Sequence, residues 1–190
     1  MSAKKATPSS SKSLKKYYRA DRNLVRDANE LLDDIGNESD RSAITILAAV
    51  IEDALTLELA KLMRKFEDDN DFNEMFGPNG PLGTFSSKIR LSYALKIVDR
   101  QSRDQLGVIR ELRNAAAHSQ RPISFEVVQI QNVCLRMFAE TMDPFFHERL
   151  AKGKMRETFS MECLAISMSI KRGRKKMHED LAEIFRDPTS

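Results

Sequence analysis

One stretch of this chain leaves little choice of architecture. From Ser42 onward the apolar residues Ile44, Leu47, Ile51, Leu55, Leu59, Leu62 and Phe66 recur three or four positions apart. That spacing puts them in one stripe along an α-helix of more than six turns. Val50, Ala54 and Leu57 widen the stripe, so the helix is expected to lie centrally, with partners on several sides. No other segment shows the alternation of a strand, and the apolar period stays near 3.6. Only seven glycines and six prolines are present, and they cluster, which leaves room for further long helices. The chain is predicted to be all-α, a single bundle domain of six to eight helices with flexible basic ends.

The punctuation divides the rest. Residues 1–13, Ser-rich and without an apolar period, are expected to be a disordered basic leader, with the helical domain running from 14 to 190. A first helix is predicted from Lys15 to Ile35, stopped by Gly36-Asn37, with Ser39 or Asp40 capping the central one. The acidic run Glu67 to Asn73 reads as a turn. Met75 to Phe85 holds three glycines and two prolines, which forbid a regular helix and predict a loop that folds back on its Phe and Leu edges. Ser86 or Ser87 is expected to cap a third helix, Ser102 to start a fourth and Ser124 to cap a fifth. A short helix over 145–152 and helical residues to Phe185, interrupted at Gly173, complete the reading.

Several function classes drop out. The longest uncharged apolar stretch, Ser42 to Ile51, has ten residues, against the roughly 20 of a membrane-spanning helix. Lys4 and Lys5 are not followed by an apolar run, so no export signal is read. Cys134 and Cys163 lie far apart among apolar residues, and both are expected to be reduced, buried thiols of a cytoplasmic protein. His118, His147 and His178 are scattered, and no paired-ligand spacing for zinc occurs. The glycines of Gly77 to Gly83 lack the following Lys-Ser/Thr of a phosphate loop, and neither His-Glu-x-x-His nor Gly-x-Ser-x-Gly is present. No metal and no cofactor is expected.

The net charge of +3 conceals an uneven distribution. Residues 1–20 hold Lys4, Lys5, Lys12, Lys15, Lys16 and Arg19 and no acid, and residues 171–176 read Lys-Arg-Gly-Arg-Lys-Lys. Taking those eleven from 31 leaves 20 basic residues against 28 acidic ones, so the body of the chain carries about −8. Lys15, Lys16, Arg19, Lys171, Arg172, Arg174, Lys175 and Lys176 are thus candidates for salt-dependent nucleic-acid contact. Tyr17 and Tyr18 can stack on bases there. An acidic protein partner, or the body's own acidic face, satisfies the same charges. No segment pairs a short helix, a turn and a basic second helix as a DNA-reading module does.

The sharpest feature is Arg110-Glu111-Leu112-Arg113-Asn114-Ala115-Ala116-Ala117-His118-Ser119. On a helix Arg110, Asn114 and His118 stack along one edge, with Arg113 one step around. Arg can stabilise developing negative charge, His can shuttle protons near neutral pH, and Asn can orient a phosphate or 2′-hydroxyl. Three alanines beside them suggest close approach of another helix, and a homodimer is expected. On residue type a structural account is favoured: His118 capping the helix end, with Arg113 and Asn114 satisfied by Glu52 and Asp53.

Four pieces, in order, resemble the mannitol operon repressor family of bacteria. They are Asp40-Arg41, Glu52-Asp53-Ala54-Leu55, the loop Phe76-Gly77-Pro78-Asn79-Gly80-Pro81-Leu82-Gly83-Thr84-Phe85-Ser86-Ser87-Lys88-Ile89, and Ile109 to Ser119. The resemblance covers about residues 38–140, and Ala116 stands where that pattern has an aromatic residue. It implies an all-helical transcriptional regulator that works through protein contacts and lacks a recognisable DNA-binding module. Arg113-Asn114-x-x-x-His118 is also similar to the signature of the HEPN superfamily. That second likeness implies an alternative, a metal-independent ribonuclease or RNA-binding protein with Arg113 and His118 as catalytic candidates and Asn114 and Asp53 in support.

Overall fold

The structure is a computed structural model that describes residues 28–63, 65–139 and 144–184. Side chains are described over 31–63, 65–139 and 147–170. The described residues form eight helices and no strand: α1 Ala28–Gly36, α2 Asp40–Leu62, α3 Asp69–Phe76, α4 Phe85–Ala94, α5 Arg100–His118, α6 Val128–Met137, α7 Pro144–Ala151 and α8 Met155–Ile184.

The central position of α2 follows from its stripe. Ile44, Leu47, Ile51, Leu55 and Leu59 are completely buried, each contributing about 1.5–3 kcal/mol of transfer free energy. Ala43, Ala48 and Ala54 let neighbouring backbones approach. With apolar residues on more than one side, α2 packs against α1, α4, α5 and most extensively α8. Leu106, Ile109, Leu112 and Ala116 of α5 and Phe159, Cys163, Ile166 and Ile170 of α8 face this core. Phe125, from the connection before α6, and Phe159 of α8 also lie in this core, their ring centroids 5.4 Å apart.

Several boundaries differ from the sequence reading, each for a local reason. The central helix stops at Leu62, not beyond Phe66; Met63 is extended and its N–H returns to the Ala60 carbonyl. Phe66 then stands edge-on to Phe72 and Phe76, 5.3 and 5.9 Å away. The acidic run is no turn but the start of α3. The Asp68 carboxylate accepts the N–H groups of Asn70 and Asp71, and acids in a first turn favour the positive end of a helix dipole.

Caps also moved. Thr84, rather than Ser86 or Ser87, caps α4, accepting the Ser87 N–H at 3.1 Å. Asp99 caps α5 through the Ser102 N–H at 2.8 Å. Ser124 does not cap α6, which begins at Val128 without a side-chain cap; its hydroxyl donates to Asp40 and accepts the Glu126 N–H, ahead of the helix. Gly173 does not interrupt α8, whose backbone stays helical to Ile184. An interior glycine costs about 1 kcal/mol and does not by itself break a helix. The expected leader 1–13, and the predicted first helix before Ala28, lie outside the described residues.

The Gly-Pro loop does fold back. Leu82 donates its N–H to the Met75 carbonyl at 2.9 Å, and Phe76, Leu82 and Phe85 are buried. The backbone passes so close to itself that a Cβ at Gly80 would lie 2.5 Å from the Met75 carbonyl oxygen, and one at Gly83 2.2 Å from that of Gly77. Only glycine fits either position. Both cysteines are free and buried. Burial pushes the Cys134 thiol up to about 12, and burial, with the neighbouring Glu162 and Cys134 charges, pushes Cys163 well up.

Candidate functional site

Arg41 is the second residue of α2, where the helix's own partial charge disfavours a cation. Its guanidinium turns away to the far end of α5. There it donates to the carbonyls of Ala116, Ser119 (3.0 Å) and Arg121 (2.8 Å). Carbonyls at a helix C-terminus lack intrahelical donors, so a planar cation with several N–H groups serves them well. Arg41, not His118, is therefore the side chain that closes this helix.

Asp40 does the matching work with an anion. One carboxylate oxygen accepts the Ser124 hydroxyl at 2.8 Å and the Phe125 N–H at 2.9 Å. The other lies 3.0 Å from Nη1 of Arg156, on α8. Arg156 in turn donates through Nη2 to the Ile35 carbonyl at the end of α1, at 2.6 Å. Two adjacent residues thus fix four junctions: the end of α1, the end of α5, the 119–125 connection and the start of α8.

A second polar seam runs between α2, α4 and α5. Lys88 is buried on the apolar side of α4, and its Nζ lies 2.7 Å from Oε1 of Glu52. Two residues earlier, the Ser86 hydroxyl accepts from Nη1 of Arg110 at 2.7 Å. Glu52, expected to serve Arg113 or Asn114, is thus bound by Lys88 instead. The four sequence pieces are joined in space: the loop reaches Glu52 through Lys88 and α5 through Ser86, and Asp40-Arg41 holds the α5 end.

The predicted site residues fall on the outer edge of α5. Arg113 is half-buried, and its Nη1 lies 3.5 Å from Oδ1 of the exposed Asn114. His118, the last residue of α5, is exposed. Among the described residues no hydrogen bond or ion pair joins His118 to Arg113 or Asn114, so the edge brings together Arg113 and Asn114 and leaves His118 one turn further on. Arg110 is turned toward α4. Asp53 is exposed on α2, beside Glu52. Ala116 is buried, Ala115 half-buried and Ala117 exposed. Lys15, Lys16 and Arg19 lie outside the described residues; for Lys171, Arg172, Arg174, Lys175 and Lys176 only the helical backbone is described.

Gln105 is a polar group that sequence reading passed over. Buried on α5, its Nε2 donates to Oε1 of Glu162 at 2.8 Å and to the Met137 carbonyl at 3.2 Å. Burial raises the Glu162 carboxyl, and the Gln105 hydrogen bond opposes that rise. Among the described residues no three His, Cys, Asp or Glu side chains converge as metal ligands, and no helix is long and apolar enough to cross a membrane.

No protein-family model and no curated protein matches this chain. Among solved structures it is similar to a chain in the X-ray structure of the MtlR-HPr complex from Escherichia coli. The TM-score is 0.56 and the identity 19%, over 75% of this chain and 97% of that chain. At that identity the likeness is one of fold alone.

Proposed function

We propose that this chain is a regulator of the mannitol-repressor type that works by contacting another protein rather than by reading DNA through a dedicated module. The observation that carries the reading is the shared fold with a chain of the MtlR-HPr complex. The joining of all four mannitol-repressor-like sequence pieces into two connected polar seams supports it, since the resemblance then lies in contacting residues and not in scattered matches. In this reading the chain associates with itself through the Ala115–Ala117 edge. Nucleic acid, if touched, is held by the basic runs in a salt-dependent, sequence-independent way. The test is isothermal titration of the chain with purified HPr, beside a mobility-shift assay with duplex DNA. Saturable binding of HPr, with DNA binding that salt abolishes, is expected. No heat with HPr, together with sequence-selective DNA binding that survives salt, would overturn the proposal.

A second reading, metal-independent RNA cleavage, is favoured by one feature. Asn114 and His118 are open to solvent, and among the described residues Arg113 hydrogen-bonds to Asn114 rather than to a carboxylate. That leaves a cation, an amide and an imidazole available to a phosphodiester. Cleavage of RNA in EDTA by the wild type, lost in a folded His118→Ala variant, is its expected result. Equal cleavage by both proteins, or none by either, would remove Arg113, Asn114 and His118 from any catalytic role.

A further inference from the structure

The corner where α4 passes into α5 carries unopposed positive charge. Residues 85–103 hold five basic residues and one acid, in a chain whose body is otherwise acidic. Lys88 is buried against Glu52, but Arg90, Lys96 and Arg100 are exposed and Arg103 is half-exposed. Among the described residues no hydrogen bond or ion pair engages the side chains of Arg90, Lys96 or Arg100. The acid, Asp99, is occupied in capping α5 through the Ser102 N–H.

An aromatic ring stands among these cations. Tyr93 is exposed, and the Arg103 guanidinium lies 4.6 Å from its ring centroid. The Asp104 carboxylate accepts from Nε and Nη2 of Arg103, at 2.9 and 2.6 Å, and so holds that group over the ring. Arg90 lies one turn before Tyr93 on α4, and Arg100 one turn before Arg103 on α5. Lys96 donates its N–H to the Tyr93 carbonyl at 3.1 Å. Its φ of 57° is left-handed, a conformation that glycine or asparagine ordinarily supplies at a helix end, yet a charged side chain stands there. One turn on from Arg103, Gly107 leaves the α5 backbone bare. A Cβ there would meet nothing within 4 Å, so packing among the described residues does not account for a glycine inside this helix, whereas close approach of a ligand does.

Free cations around an exposed ring match a polyanion that also offers flat faces. Single-stranded nucleic acid is such a polyanion: its phosphates meet the guanidinium and ammonium groups, and its bases stack on aromatic rings. The shape of the corner favours it over an acidic peptide. Tyr93 to Lys96 and Asp99 to Gln101 are all exposed, so the corner is convex. Peptides are held in grooves or along sheet edges, which a convex corner does not offer, whereas a flexible polynucleotide bends round it. We infer that the α4–α5 corner binds single-stranded nucleic acid, with phosphates on Arg90, Lys96, Arg100 and Arg103 and a base on Tyr93. Such a contact reads no sequence. It lies on the folded body, apart from the basic runs, and about 22 Å of helix separates Arg103 from His118. It therefore stands or falls independently of both functions proposed above.

Fluorescence anisotropy of the full chain with a short labelled oligouridylate tests the site. Tyr93→Ala should weaken binding about tenfold and Tyr93→Phe by less than about twofold, because stacking needs the ring and not the hydroxyl. Lys96→Gly removes a charge and relaxes the left-handed backbone in one change, so the weakening expected of it cannot come from lost folding. That variant, Arg90→Ala and Arg100→Ala should each lower the slope of log K against log salt by about 0.7. The basic runs at 1–20 and 171–176 can hold the same probe, so the place of contact is read separately. An oligouridylate carrying 4-thiouridine, photocross-linked to the wild type and mapped by mass spectrometry, is expected to link within residues 90–103. Links confined to other residues, or a Tyr93→Ala variant that binds and cross-links as the wild type does, would overturn the site. Displacement of the probe by polyglutamate as readily as by unlabelled oligouridylate of equal charge would also overturn it, and mark the corner as a dock for an acidic protein.

Discussion

Replacing Arg41 with Ala tests the account of the α5 end most directly. Three carbonyls lose a charged donor in one change. A buried hydrogen bond to a charged group is worth about 1.5–3 kcal/mol. These sites are half-buried or exposed, so water recovers part of each, and about 0.5–1 kcal/mol apiece is the sounder figure. The total, about 1.5–3 kcal/mol, is a large part of an ordinary domain's stability. With a urea m-value of about 2 kcal/mol/M, the midpoint should fall by roughly 1 M at unchanged slope. Circular dichroism at the helix band during urea titration reads this directly. Two companion variants separate causes. Arg41→Met keeps the stem and should recover little; Arg41→Lys offers one ammonium where a fork is needed and should recover less than half. A midpoint shift below about 0.3 M, or full recovery by Met, would refute the guanidinium's role and leave only side-chain packing.

Three further outcomes follow from the seams and the core. Lys88→Ala should cost about 2–4 kcal/mol by leaving Glu52 without its cation in a mostly buried place, whereas Lys88→Met/Glu52→Leu should return to within about 1 kcal/mol of the wild type; thermal melts of both check the contrast. Glu162 has a folded-state pKa raised above its ordinary 4.5, so the stability it supports is present below that value and lost as pH rises through the folded one. Glu162→Gln, which retains an acceptor for Gln105, should therefore stabilise at pH 7 and change nothing near pH 4, as paired denaturation curves would show. For the thiols the same sign applies at the alkaline end: the unfolded chain ionises from about 9.0, the folded Cys134 only near 12. Stability should decline across that interval, less so in Cys134→Ala, and a thiol reagent at pH 8 should label neither cysteine until the protein is unfolded.

How far could the residues themselves have led? The periodicity of α2 announced both the helix and its central place, because a stripe that wide has to be covered from several directions. The Gly-Pro loop was legible for a similar reason, since its composition allows nothing regular. Cap assignments failed where several Ser, Thr and Asp residues compete within four positions, as at Thr84, Ser86 and Ser87; which one caps depends on where the preceding loop delivers the chain. The acidic run was misread because net charge was weighed and the preference of Asp for a helix start was not. Arg41 and Lys88 left signals that periodicity alone does not interpret. A cation in the first turn of a helix, and a lysine in line with Phe85, Ile89 and Ser92 on a buried face, each imply a partner elsewhere. Neither implies which one, because the answer lies 75 to 80 residues away for Arg41 and 36 for Lys88. Asn114 and His118 lie on an exposed side of α5; that Arg110 turns instead to Ser86 depends on a neighbour the spacing does not reveal.

The Asp40 junction also has a bearing on synthesis. Its last participant, Arg156, follows Asp40 by 116 positions, and the helix that covers α2 most extensively is α8, the last in order of the described helices. A ribosome adding residues from the amino end therefore releases α2, the most apolar of the described helices, long before that cover exists. Closing a loop that long is slow relative to forming local helices. Until α8 emerges, the growing chain presents a greasy surface to the cell, of the kind chaperones hold. Truncations that stop short of Met155 should accumulate as aggregates or chaperone-bound chains, and not as a smaller folded core.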